Sequence, residues 1–186
     1  LKYNYASYRE GAGIFLMDGK EIFITNSVFN HNIARHGSGG AIYCKSLSLV
    51  NIKNCTLLTN DGRFSGGGIC LMQIDIAVQI IATHFYNNIA LLKEGAGIFL
   101  MHGKEISIIG CDFNHNTARS VKYGSGGAIY CKSLNSVNIK NCTFEKNNAH
   151  YSGGAICVMQ IDLAVQIIAT HFYLNIAGKG EGGGIY

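Results

Sequence analysis

Proline and tryptophan are absent from the 186 residues, and only 14% of the chain is charged. Without proline, the backbone keeps its N–H donors throughout, so a chain with 24 glycines can turn tight corners while its amides remain available to pair. The formal charge of +4 is mild and no block of one sign is present, so no specific nucleic-acid partner is expected. Uninterrupted apolar runs are missing too. The greasiest stretch, Ile69 to Phe85, is broken by Gln73, Asp75 and Gln79, which a bilayer centre would penalise. Membrane contact is therefore expected only through regions outside this segment, and no secretory leader is visible. The seven cysteines include no CxxC pair, and the acidic residues do not cluster.

What is present is repetition. A Gly-Gly-Ala-Ile-like tetrad ends at Ile14, Ile42, Ile69, Ile98, Ile129, Ile156 and Ile185, with gaps of 28, 27, 29, 31, 27 and 29 residues. That period signals a solenoid. In phase with it runs an apolar residue followed three positions later by Asn, giving Asn4, Asn32, Asn60, Asn88, Asn116, Asn147 and Asn175. Asn at a fixed turn can bond the same amide one coil away, so these seven are expected to form a structural ladder. A larger unit is superimposed: Glu10 to Lys93 returns almost verbatim as Glu94 to Lys179, a module of three coils whose second copy carries a three-residue excess between Ala118 and Gly126. One continuous domain over 1–186 is expected. The chain opens inside an Asn turn without an initiator Met and stops two residues into a new rung, which reads as a segment of a longer array with both ends open.

Within a coil the apolar positions alternate with period two, the signature of strands. The columns Ile22/Val50/Val78/Ile106/Val137/Val165 and Ile24/Ile52/Ile80/Ile108/Ile139/Ile167 are predicted to face inward, with Phe23, Asn51, Gln79, Ser107, Asn138 and Gln166 outward between them. A corner follows at Asn26, Asn54 and Asn141, then a column of Ser27, Cys55, Thr83, Cys111, Cys142 and Thr170 beside the Phe column. The fold predicted is all-β: a right-handed, single-stranded parallel β-helix with three short strands and three corners in each coil of about 28 residues. A leucine-rich repeat shares the period and the LxxLxLxxN spacing, but its return segment is helical, and Gly126, Gly127 and the β-branched run Ala164 to Ile168 disfavour a helix.

The pair SGGAIY and NCTFxxNxA, at Ser38 to Tyr43 and Asn141 to Ala149, resembles the repeats of the polymorphic membrane proteins of Chlamydia and their adhesin-like relatives. The resemblance covers essentially the whole chain. It implies the right hand of the helix and a surface-exposed or extracellular passenger of adhesive or structural role.

Function on this reading is a fibre, stalk or passenger segment with no catalysis of its own and no cofactor. The alternative is a polysaccharide-binding or polysaccharide-degrading β-helix whose active coils lie elsewhere. Asp75 and Asp162 are copies of each other in loop positions, and Asp18, Asp61 and Asp112 lack acidic neighbours on adjoining rungs, so no carboxylate pair for hydrolysis is expected. His31 and His115, like His84 and His171, stand three rungs apart, about 14 Å, too far to share a metal ion. The cysteines read either as buried free thiols or, at Cys111 and Cys142, as neighbours wider apart than a disulfide prefers. Asn54 and Asn141 lie in glycosylation sequons, with an internal ladder the favoured role.

Two surface features stand out. The turns before the glycines carry Arg9, Arg35, Arg63, Lys93, Arg119, Lys122 and Lys179, either a basic edge suited to an anionic glycan or other cell-surface ligand, or polar turns diluted by Glu10, Glu94 and Glu181. The position after each tetrad reads as an outward apolar stripe of Phe15, Tyr43, Phe99, Tyr130 and Tyr186 with Cys70 and Cys157. Such a stripe needs a cover, either the long loop that follows or a neighbouring copy of the chain in a fibre or lateral contact.

Overall fold

The computed structural model describes residues 1–186 and contains only strands and turns. The coils stack as three parallel sheets, each built from one strand per coil and each following coil order. A two-residue strand such as Ile33–Ala34 belongs to a seven-stranded sheet, and a three-residue strand such as Thr56–Leu58 belongs to a six-stranded one. The third sheet corrects the expectation of uniformly short strands. Its members, such as Ile42–Lys53 and Ile69–Ile81, run 12 or 13 residues.

Each long strand joins the tetrad segment to the first apolar columns of the coil through a bend where a corner was expected. The bend is a left-handed residue: Asp18, Ser46, Gln73, His102, Ser133 and Gln160 have φ between 54° and 58°. The 13-residue strands carry one extra residue there, which shifts the register and pushes Ile76 and Leu163 into solvent at 59% and 77% exposure. Asp75 and Asp162 therefore sit in bulged strand, not in loops. The true corner after the long strand also has positive φ, at Asn26, Asn54, Ala82, Gly110, Asn141 and Ala169.

Register is in phase throughout. Ile14, Ile42, Ile69, Ile98, Ile129 and Ile156 lie over one another, and so do the Phe rings, with centroids of Phe85, Phe113, Phe144 and Phe172 spaced 4.6, 4.7 and 5.0 Å apart. That is the spacing of neighbouring strands. The core cluster runs the length of the column and includes Leu47, Ile74 and Leu134, an inward position beside the bend whose counterparts Gly19 and Gly103 hide the pattern in sequence.

The asparagine ladder sits at the turn between the three-residue and two-residue strands. Each Oδ1 accepts from both the backbone N–H and the side-chain amide of the preceding asparagine. For Asn88 these are Asn60 N at 3.0 Å and Asn60 Nδ2 at 3.0 Å. Each Nδ2 then donates to the carbonyl of the apolar residue one coil back and to the next Oδ1, which for Asn88 are Leu57 O at 2.9 Å and Asn116 Oδ1 at 3.0 Å. Two acceptor positions and two donors are thus all used, which is why Asn32, Asn60, Asn88, Asn116 and Asn147 tolerate complete burial. The chain of amides runs unbroken from Asn4 to Asn175.

Candidate functional site

The stripe after the tetrad is not open. Tyr43, Phe99 and Tyr130 are 7%, 7% and 6% exposed and join Cys70 and Cys157 in a second core, with Met72 and Met101 packed against it. The cover is the turn preceding each tetrad, not the loop that follows. The first glycine of the tetrad, where that turn ends, is left-handed, as at Gly39 and Gly95, and brings the backbone so close that an added Cβ would lie 3.0 Å from Tyr43 Cβ or Phe99 Cα. Only Phe15 and Tyr186, on the outermost coils, keep substantial exposure. Strand alternation shows that these side chains leave the main core, and it carries no information about what folds over them.

Between these turns and the stripe lies a cleft of about 530 Å³, walled by Phe64, Tyr123, Met72 and Met101 and edged by Glu10, Glu94, Lys93 and Lys132. Burial pushes the Glu94 carboxyl above the usual range, with Lys93 and Lys132 opposing the shift. Glu10 and Glu94 share one column, since Gly11, Gly39 and Gly66 donate in turn to the carbonyls of Ser38, Ser65 and Glu94. They are therefore three rungs apart, about 14 Å. Paired carboxylates in glycoside hydrolysis stand roughly 5 to 9.5 Å apart, so this cleft lacks that geometry.

The cations of the turns do not all align. Arg35, Arg63 and Arg119 each follow a two-residue strand and occupy equal phase. Arg9, Lys93, Lys122 and Lys179 fall later in turns of unequal length. Lys93 lies over the Phe64 ring at 5.9 Å and Lys122 over Tyr123 at 5.0 Å.

Sequence reasoning missed the pairing of His84 with Asp112, whose Nδ1 and Oδ2 lie 2.9 Å apart on the outer face of the three-residue strands. The signal was a register one: residues 28 apart share a column. The sequon asparagines differ from their expected internal role. Asn54 and Asn141 are exposed at the corner, and only Asn54 donates along the column, to Asn26 Oδ1 at 3.3 Å.

All seven cysteines are free and buried. Cys55, Cys111 and Cys142 point their Sγ at carbonyls of their own corner, Lys53, Ile109 and Lys140, at 3.2 to 3.4 Å. Burial pushes the Cys44 and Cys157 thiols up to about 12. Burial shields all seven sulfurs from reagent, so a native chain should release no colour from Ellman's reagent, and all seven should react once denatured. Reaction of two or more before unfolding would show that the walls open.

Comparison with known proteins places these observations. The family model for a right-handed β-helix region matches residues 1–172. The metabotropic glutamate receptor-like protein R of Dictyostelium discoideum is 30% identical over 150 residues, 81% of this chain and 9% of that protein. The probable autotransporter YfaL of Escherichia coli K12 is 31% identical over 102 residues, covering 50% of this chain and 8% of its own length. The probable outer membrane protein PmpB of Chlamydia muridarum is 26% identical over 131 residues, 70% of this chain and 7% of that protein. The chain thus spans less than a tenth of each of these relatives. No solved structure matches.

Proposed function

The chain belongs to the right-handed β-helix family, and from that premise we propose that it is a structural and adhesive passenger or stalk segment, held at the cell surface or outside the cell, with no catalysis of its own. The observation that carries this reading is the sameness of its coils. Side chains repeat in register by threes, and the cleft edged by Glu10 and Glu94 has those carboxylates about 14 Å apart. A binding or spacing role needs length and a repeated face, whereas a catalytic centre needs one coil to differ from the rest. Similarity to an autotransporter and an outer-membrane protein supports the location.

Homotypic contact in a fibre is part of the proposal, but the covered stripe offers it no lateral apolar seam at Tyr43, Phe99 or Tyr130. The cleft beside Glu94 favours a second reading, a polysaccharide-binding or polysaccharide-degrading protein whose reactive coils lie elsewhere.

Antibodies raised against the chain should label intact cells that make the full protein. Labelling that appears only after permeabilisation would overturn the surface assignment. Incubation of the chain with uronate and neutral polysaccharides should generate no new reducing or unsaturated ends. Their appearance would overturn the non-catalytic reading.

A further inference from the structure

One edge of the solenoid presents guanidinium groups in register that no carboxylate of the fold pairs. The residue after each two-residue strand belongs to a single column, because its N–H bonds the carbonyl one coil back. Arg35 donates to Ala6, Arg63 to Ala34, Leu91 to Gly62, Arg119 to Ala90 and His150 to Ala118, at 2.8 to 3.3 Å. Arg35 and Arg63 are one rung apart and Arg63 and Arg119 two, about 5 and 10 Å along the axis. Arg35 and Arg119 are exposed and Arg63 half-buried.

The ion pairs of the chain lie elsewhere, at His84 with Asp112 and Lys146 with Glu145, so no carboxylate holds these three guanidiniums at contact distance. One of the three is nonetheless tethered. Arg35 Nη1 donates to the Tyr5 hydroxyl at 3.1 Å. Asp61, whose Oδ1 is buried without a partner, feels the charges of Arg119 and Arg63, although burial dominates and raises its carboxyl. A cation fixed in advance, as Arg35 is, loses less freedom when an anion arrives.

We propose that this column is the docking line for an acidic polysaccharide lying parallel to the solenoid axis. The proposal rests on the reading of the chain as an outward-facing segment. Three features select this partner. A guanidinium fork fits carboxylate and sulfate groups with two parallel hydrogen bonds. A pyranose in an extended chain advances by about one rung spacing, so acidic groups on successive or alternate sugars meet Arg35, Arg63 and Arg119 in turn. Finally, three neighbouring aromatics have one ring face engaged: Tyr8 stacks on His36 at 6.2 Å, Phe64 lies under Lys93 and Tyr123 under Lys122. This leaves single-stranded nucleic acid at most one face of each of these rings for its bases.

The test uses the chain immobilised on a surface, with a sulfated polysaccharide, a polyuronate, neutral dextran and a single-stranded oligonucleotide as probes, at about 50 and about 500 mM NaCl. The acidic polysaccharides should bind at low salt and release at high salt, and dextran should not bind. Arg35→Gln/Arg63→Gln/Arg119→Gln should weaken binding about tenfold or more, while Lys20→Gln/Lys53→Gln/Lys140→Gln, which removes equal charge from exposed positions outside the column, should weaken it less than about threefold. Binding of only the sulfated or only the uronate probe identifies the acidic group and supports the proposal. Equal loss in the two triple variants, no binding of either acidic probe, or tighter binding of the oligonucleotide overturns it. Unchanged thermal melting of both variants excludes misfolding as the cause. Surface labelling of intact cells is read independently, so failure here leaves the proposed location standing.

Discussion

Asn88→Leu should remove about 5 kcal/mol of stability. The side chain is fully buried, and Leu nearly matches its volume, so little of the loss comes from packing. What changes is hydrogen bonding. Asn60 N loses its acceptor and Leu57 O its donor, and Asn60 Nδ2 keeps only its bond to Phe29 O, leaving three buried polar groups each short of one bond. At about 1–3 kcal/mol each, the total is roughly 3–9 kcal/mol, comparable with the whole stability of many domains. Asn4→Leu is the control. Asn4 is only half-buried, and its side chain makes a single ladder bond, to Asn32 at 2.8 Å, so its loss should cost less than about 1 kcal/mol. Urea unfolding followed by circular dichroism measures both. Near-equal midpoints for the two variants would mean that the ladder decorates the stack without holding it.

Gly67→Ala should be comparably severe for a different reason. Its φ is ordinary, but an added Cβ would lie 2.3 Å from Ile89 O and 2.5 Å from Ile89 N, backbone atoms of the next coil that cannot rotate away. The coils must separate or tilt, which stretches the hydrogen bonds between them, and a loss of about 4 kcal/mol or failure to fold is expected. Gly110 makes the contrast. Its φ is +61° and a Cβ there would meet nothing within 4 Å, so Gly110→Ala should cost at most about 1–2 kcal/mol. The same corner already holds Ala82 at 46° and Asn54 at 52°, and Gly110→Asn should be close to neutral. Parallel thermal melts decide the matter; equal losses for Gly67→Ala and Gly110→Ala would show that contact between coils at Gly67 is looser than the structure has it.

The fold was legible in the sequence because equivalent residues lie in register. The phased asparagines and the Ile and Phe columns needed only counting, and those columns form the core. The bend at Ser46, Gln73 and His102 escaped because these residues carry no glycine or asparagine signal for a left-handed backbone, and a strand that bends without breaking keeps its alternation. The covered stripe was half legible. Tyr43 and Phe99 do leave the main core, yet the glycine turn that folds onto them is a tertiary event invisible to periodicity. The basic edge was overcounted, since position within a turn equals position in space only where turns have equal length. The longer loop that carries Lys122 breaks that equality, while Arg119, immediately after its strand, keeps it.

The ladder amides from Asn4 to Asn175 all point the same way, each ladder oxygen toward the earlier coil and one N–H of each amide toward the later one. Their dipoles therefore add along the axis, much as peptide dipoles add in an α-helix. A cross-section anywhere through the column exposes an oxygen on one cut face and an N–H on the other. Two segments of this kind can splice their amide rows only front to back. A mirror-image joint would set like against like, so any filament made this way carries a direction.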